Sequence, residues 1–297
     1  SALLSSLLFK EWKYFCTNKI QGKKKMLPVD KDSNMVYFSE WIKDFTCYES
    51  IIEKLNRNQI KFDLLPFTND YWVRDFMPIQ ISETGFIEYK YNPDYLQNKP
   101  SYITNPAKCC RQLNISTKKI DVVLDGGNII KCTDAIILTD KVFVENRNLT
   151  KTQLFDTLAN AFQCNIVVIP WDRNEIYGHA DGMVRFTESG KILLNNYINI
   201  DVSFRSKLIK ALDRHFEIIE LAYRVPKLSA LSWSYLNYLQ VGSFILLPAV
   251  GIPEDKQRKI FERFYQMENG HEGSGIGLSL VQRLVELHHG QITLISE

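Results

Sequence analysis

From about residue 33 onward, short apolar runs alternate with stretches whose apolar positions recur at helical spacing. Met35–Phe38 reads as a strand. Glu40–Asn56 reads as a helix that turns Ile51, Ile52 and Leu55 to one side, because residues three and four apart share a helix face. Ile60–Leu65, Ile79–Ile81 and Phe86–Tyr91 are strand-like. Val122–Leu124, Ile129–Cys132 and Ala135–Leu138 form a cluster of strands punctuated by Asp-Gly-Gly and Asp turns. Thr150 and Gln153 make a capping-box pattern ahead of a helix marked by Leu154, Leu158 and Phe162. Asn165–Ile169 reads as a buried strand. Met183–Phe186 and Ile192–Tyr197 pair across the Glu188-Ser189-Gly190 turn. Phe204, Leu208, Ala211 and Leu212 mark a further amphipathic helix, with a strand over Ile218–Ala222 behind it. Tyr235–Val241 and Phe244–Leu247 make another hairpin around Gly242 and Ser243.

Strands, helix and strand thus recur at a spacing of roughly fifty to sixty residues, which suggests an internal structural repeat. The pattern predicts an α/β or α+β fold of several small mixed sheets, without the regular strand–helix cadence of a doubly wound sheet. After Pro248 the character changes. Glu254–Tyr265 reads as a charged helix, and a glycine-rich stretch runs from Gly270 to Gly277. Leu278–His289 then reads as a helix with Val281, Leu284, Val285 and Leu287 on its apolar face and Gly290 just past its end. Gln291–Ser296 closes as a strand. At the other end Leu3, Leu4, Leu7, Leu8 and Phe9 make an apolar patch too short to span a membrane and without a positive flank ahead of it. Three lysines precede Met26, a candidate natural start. The expected organisation is an extension over 1–32, a main body over 33–250 and a different segment over 251–297.

The 297 residues carry Lys+Arg 36 against Asp+Glu 34, a formal charge of +2. That balance argues against nucleic acid or an anionic membrane as the main partner. The aromatic share of 12% serves core packing or the wall of a small-molecule pocket. Six cysteines (Cys16, Cys47, Cys109, Cys110, Cys132, Cys164) show neither a Cys-x-x-Cys pair nor metal-ligand spacing, so no metal is expected. Reduced thiols in a cytoplasmic protein are the simplest account. Cys109 and Cys110 are read as lying in a surface segment, and Cys132 as a structural thiol.

Three segments stand out for chemistry. They are Asp70-Tyr71-Trp72-Val73-Arg74-Asp75-Phe76-Met77-Pro78, Leu124-Asp125-Gly126-Gly127-Asn128 and Tyr177-Gly178-His179-Ala180-Asp181-Gly182. An Asp beside an Arg is usually a surface ion pair, and Gly-Gly usually a turn. In an extended segment, however, His179 and Asp181 face the same side, and the flanking glycines let the backbone approach a ligand closely. The alternative for His179 alone is a satisfied, partly buried histidine.

Taken together and in this order, the three segments resemble the agmatine deiminase and bacterial-type peptidylarginine deiminase family over about residues 33–250. The resemblance implies a pentein α/β propeller of ββαβ repeats and a hydrolase that converts a guanidine (agmatine or an arginine side chain) to a ureido group with release of ammonia. It implies a place in polyamine (putrescine) formation, no metal or organic cofactor, and room for a homo-oligomer. A guanidinium is a planar cation with forked N–H donors, so carboxylates are its natural partners. By the family pattern Asp75 and Asp181 would grip it, and His179 would be general acid and then general base. Asp125 would orient His179, Trp72 would line the pocket and Arg74 would brace the loop. Asn237 would match an asparagine at the rim. The family's reaction starts with attack of a thiolate from near the C-terminus. Residues 165–297 contain no cysteine, so weak or absent turnover is expected, and a non-catalytic guanidinium-binding protein is the alternative.

Gly251-Ile252-Pro253-Glu254 through Gln266, followed by Gly273-Ser274-Gly275-Ile276-Gly277-Leu278, resembles the end of a sensor histidine kinase ATP-binding domain. In that family the glycines, here Gly273, Gly275 and Gly277, bring backbone N–H groups to the ATP phosphates. The asparagine helix and the adenine-contacting box of that family have no counterpart upstream. No kinase activity is therefore expected, a nucleotide-binding signalling fragment stands as the lesser alternative, and the main body is expected to lack its last repeat.

Overall fold

The computed structural model describes residues 26–187, 190–222, 236–248 and 291–295, with backbone alone at 248 and 291–295. The expected helices over 254–265 and 278–289, and residues Gly273, Gly275 and Gly277, lie outside the described residues, as does most of the extension.

The described strands form five small sheets. β1 (Met35–Ser39) and β2 (Lys61–Leu65) pair in parallel, joined through α1 (Tyr48–Arg57). The next four sheets share one plan: an antiparallel hairpin whose second strand also pairs in parallel with a third. β3 (Ile79–Gln80), β4 (Phe86–Lys90) and β5 (Thr117–Val123) form the first of these. β6 (Ile130–Lys131), β7 (Ala135–Thr139) and β8 (Asn165–Ile169) form the second. β9 (Val184–Phe186), β10 (Lys191–Leu194) and β11 (Glu217–Glu220) make the third. β12 (Leu239–Val241), β13 (Phe244–Pro248) and β14 (Gln291–Ile295) make the fourth.

The period-two geometry of β7 ties two of these units together. Successive side chains of a strand point to opposite faces, and all five residues of β7 are buried. Ile136 and Leu138 join a core with Ile87, Val122, Leu124 and, from α5 (Lys151–Phe162), Leu154, Leu158 and Phe162. Ile137 faces the other way, into a core with Val167, Ile169, Val184, Ile192, Leu194, Leu208 and Leu212. Each such aliphatic side chain gains about 1.5–3 kcal/mol by leaving water. The capping box of α5 forms as expected: Thr150 Oγ1 accepts from Gln153 N–H at 3.2 Å and Thr150 N–H donates to Gln153 Oε1 at 2.9 Å. A smaller cluster joins first and last sheets, with Leu55 packed against Phe244 and Leu246.

Several expectations are corrected. The helix expected over Glu40–Asn56 is broken: Ser39 caps a 3-10 turn over Glu40–Asp44, Phe45 is extended, and α1 starts only at Tyr48. The buried Ser39 hydroxyl also bonds Thr68 Oγ1 at 2.7 Å, which anchors that turn against a distant loop. β5 begins five residues before Val122, because an edge strand carrying Lys118 and Lys119 lacks apolar alternation. Tyr197 ends no strand. It opens α6 (Tyr197–Ile200), where its hydroxyl donates to Asp172 Oδ2 at 3.0 Å inside the core.

Cys109 and Cys110 are buried, at 0% and 3% exposure. They lie on α3 (Pro106–Gln112), a helix started by the Asn105 side chain, which accepts from Ala107 N–H at 3.0 Å, and by Pro106 at its first position. Burial pushes the Cys110 thiol up to about 11. The last sheet takes its third strand from the segment after 250: β14 pairs in parallel with β13 from Phe244↔Gln291 to Pro248↔Ile295. Backbone N–H and C=O groups on the free side of β13 accept any extended segment, whatever its ancestry.

Candidate active site

An open cavity of about 750 Å3 draws its walls from four segments far apart in sequence, with Asp70, Trp72, Arg74, Asp75, Tyr95, Glu175, Tyr177, His179, Asp181 and Asn237 among its lining residues. Asp75 sits on α2 (Val73–Phe76), a single turn that buries its carboxylate. Its Oδ1 accepts from Gly127 N–H at 2.9 Å, and its carbonyl accepts from the buried Tyr89 hydroxyl at 2.5 Å. The Asp-Gly-Gly turn is needed here for space. A Cβ on Gly127 would overlap the His179 ring and lie 2.7 Å from Asp75 Oδ1, and one on Gly126 would overlap the Arg74 carbonyl.

His179 is fixed through ring and backbone alike. Its Nε2 lies 3.1 Å from Asp125 Oδ2, and its Nδ1 lies 4.0 Å from Asp75 Oδ1. Glu175 accepts from the N–H groups of Tyr177 and His179, each at 3.0 Å, and from Gly178 N–H between them. Gly178 takes φ +70°, in the left-handed region that a side chain would strain. The rings of Tyr177 and Tyr95 flank the imidazole. Asp181 N–H donates to the Gly127 carbonyl at 3.1 Å, so the second and third segments are stitched together by their backbones. Arg74 Nε approaches Asp181 Oδ2 at 3.5 Å and its Nη2 donates to the Ile129 carbonyl at 3.2 Å.

The electrostatics follow from this crowding. Burial, with Asp181 and Asp125 nearby, lifts the Asp75 carboxyl to about 7, although His179 and Arg74 oppose the rise. Burial alone would lower His179. The carboxylates of Asp75, Asp125 and Asp181 outweigh it and raise the imidazolium to about 9. A site with carboxylates around one imidazolium can hold a small cation and can move a proton at His179 Nδ1, since Nε2 is engaged by Asp125.

Asp75, Asp125, His179 and Asp181 therefore converge, with Arg74 behind Asp181 and Trp72 and Asn237 on the cavity wall. Cys132 does not join them. It is fully buried in the second core, and burial pushes its thiol well above the ordinary range. Among the described residues no group of three or more His, Cys, Asp or Glu is placed to hold a metal ion, and no helix is long and apolar enough to cross a membrane. No local pattern marks Glu175, Tyr95 or the buried Lys141, all of which touch the site. Glu175 lies four residues before His179 in a loop, where a glutamate ordinarily means solvent.

Residues 43–272 match the Porphyromonas-type peptidyl-arginine deiminase family. Among solved structures, an agmatine deiminase of C. jejuni with substrate bound is similar at TM-score 0.61 and 16% identity, covering 94% of this chain and 92% of that one. The agmatine deiminase of Enterococcus faecalis gives TM-score 0.65 at 13% identity, covering 94% of each chain. A DDAH of Pseudomonas aeruginosa complexed with citrulline gives 0.50 at 13% identity, covering 87% of this chain and 83% of that one. At such identities the likeness is one of fold, a mixed α/β fold of the pentein kind.

Residues 248–297 separately match the histidine kinase-, DNA gyrase B- and HSP90-like ATPase family. The sensor histidine kinase TmoS of Ectopseudomonas mendocina is 46% identical over 48 residues, 15% of this chain and 5% of that protein. The probable histidine kinase 2 of Oryza sativa is 26% identical over 121 residues, 37% of this chain, and the chain spans only 12% of that protein's length. The ending thus resembles a different family from the body. With a family match over most of its length and a site built from the expected segments, the chain belongs to the Porphyromonas-type peptidyl-arginine deiminase family.

Proposed function

We propose that the cavity binds a guanidinium compound, agmatine or an arginine side chain, between Asp75 and Asp181. The observation that carries this reading is the convergence of those two carboxylates on His179, whose other nitrogen is held by Asp125. Charge-assisted hydrogen bonds from the forked N–H groups would hold the cation flat. Trp72 and Asn237 line the approach, and Arg74 braces Asp181. His179 is the group able to protonate departing ammonia and then to deprotonate water. A family hydrolase of this kind opens its linear amidine by thiolate attack and yields a ureido product, a step linked to polyamine formation.

In this 297-residue chain we propose weak or absent turnover, because residues 165–297 contain no cysteine and Cys132 is buried away from the cavity. The protein then acts as a guanidinium binder. The test is calorimetry with agmatine alongside an ammonia assay. Heat of binding with no ammonia above the blank is expected; Cys132-dependent ammonia release, or no binding at all, would sink the reading.

We further propose that the units are arranged as blades of a pentein propeller. The packing of Leu55 against Phe244 and Leu246 supports closure of first unit on last. The overlap of the two family matches over residues 248–272 supports a join between bodies of different origin near Gly251. The pairing of β14 with β13 supports a structural use of the kinase-like ending. Binding of nucleotide at Gly273, Gly275 and Gly277 is not expected.

A further inference from the structure

One buried cluster next to the site is left unused by the reading above. Lys141, on α4 (Lys141–Glu145), has a side chain only 1% exposed. Its Nζ donates to the Tyr177 carbonyl at 2.6 Å and pairs with Asp94 Oδ1 at 3.0 Å and Glu145 Oε1 at 3.1 Å. The same ammonium lies 4.0 Å from Asp125 Oδ2 and 5.1 Å from the centre of the Tyr95 ring. An ammonium leaves water only where partners compensate it, and here the partners converge on the back of the His179 turn.

Asp125 has the complementary need. It is 1% exposed, its Oδ2 meets His179, and its Oδ1 finds no hydrogen-bond donor among the described residues. A buried carboxylate with so few donors needs a nearby positive charge to offset its lost hydration. Lys141 supplies one. The lysine stem also lies directly under Gly178: a Cβ there would overlap it and sit 3.0 Å from the Trp171 ring. Thr139 Oγ1 donates to the Gly178 carbonyl at 2.7 Å, so the turn that presents His179 is clamped at two successive carbonyls.

We propose that Lys141 is a positioning residue for the His179–Asp125 pair, its charge holding the buried Asp125 carboxylate toward His179 while its N–H bond to Tyr177 sets the turn. This rests on reading that pair as the proton-handling part of the site. The groups facing Lys141 are Asp94 and Tyr95, Asp125, Glu145 on its own helix, and Trp171 and Tyr177. Those facing His179 are Asp75, Asp125 and Asp181, with the rings of Tyr95 and Tyr177. Burial and Asp125 lift Glu145 to about 7, although Lys141 opposes the rise.

The experiment is NMR of the full 297-residue protein, following the His179 Nε2–H proton. Wild type and Lys141→Arg are expected to show the downfield resonance of an imidazole N–H bonded to a carboxylate. Lys141→Gln can still donate to the Tyr177 carbonyl but carries no charge, and its resonance is expected to move upfield. An unchanged resonance in folded Lys141→Gln overturns the proposal. Should Lys141→Gln not fold, Asp94→Asn decides, because the Asp94 side chain is 58% exposed. It leaves Lys141 to act more fully on Asp125, and the His179 pKa is expected to fall; no change overturns the proposal. Agmatine calorimetry on wild type is independent of both: absence of binding there removes the guanidine reading and leaves the NMR result standing.

Discussion

Replacing Asp75 by asparagine should make the protein more stable and take away its ligand. The carboxyl of Asp75 moves from an ordinary 3.8 to about 7 on folding, a rise of about 3 units, or about 4 kcal/mol at 1.36 kcal/mol per unit. An acid whose folded value is raised destabilises the fold once the unfolded form has ionised, so stability falls from about pH 4 upward and the full penalty is reached above about pH 7. The asparagine side chain carries no charge and could still accept from Gly127 N–H. Urea unfolding at pH 7.5 should therefore show Asp75→Asn more stable than wild type by up to about 4 kcal/mol, a gain that vanishes at pH 4. Agmatine binding should weaken in the same variant by about 10- to 100-fold, the loss of one charge-assisted hydrogen bond worth about 1.5–3 kcal/mol. A variant no more stable than wild type at pH 7.5, or a gain of equal size at pH 4, would refute the claim that this carboxylate is held in the site against its own solvation.

Space, protonation and packing give further tests. Gly127→Ala should displace His179 and break the Gly127–Asp75 bond, lowering agmatine affinity by at least about tenfold; unchanged calorimetry would show that the turn has room to spare. Agmatine affinity should rise from pH 6 to pH 8 as Asp75, at about 7, ionises, and a flat profile across that range counts against Asp75 as a ligand. His179 gains its proton's partners on folding, so its stabilisation is complete below its ordinary 6.5 and is lost as pH rises through about 9; His179→Gln should therefore flatten the fall in stability above pH 8, seen by thermal melting. Leu158→Ala, in the core under β7, should cost about 2–5 kcal/mol without changing the affinity per folded molecule.

Linear order along the chain was enough to reveal the strongly patterned elements and the segments that meet at the cavity. β8 falls where its continuous apolar run lies, and the helix at 151–162 starts where Thr150 and Gln153 cap it. These signals are local: a capping box, or alternation along five residues, acts between neighbours and so can be read along the chain. Asp75, Asp125, His179 and Asp181 were legible because their segments together form a recognisable ordered set. Other features arise only when distant segments meet. Asp125 and His179 come together across 54 positions, and only that meeting turns an isolated histidine into one raised to about 9. Lys141 precedes Val142, Phe143 and Val144 with no local sign of its own burial. Its burial follows from Gly178 and Trp171 folding over it, which no nearby residue announces. The same holds for Cys109 and Cys110, turned inward by a helix with little apolar periodicity, and for β14, joined to β13 by backbone bonds that any extended segment could make. Desolvation and long-range charge act through space, and space is set by the fold.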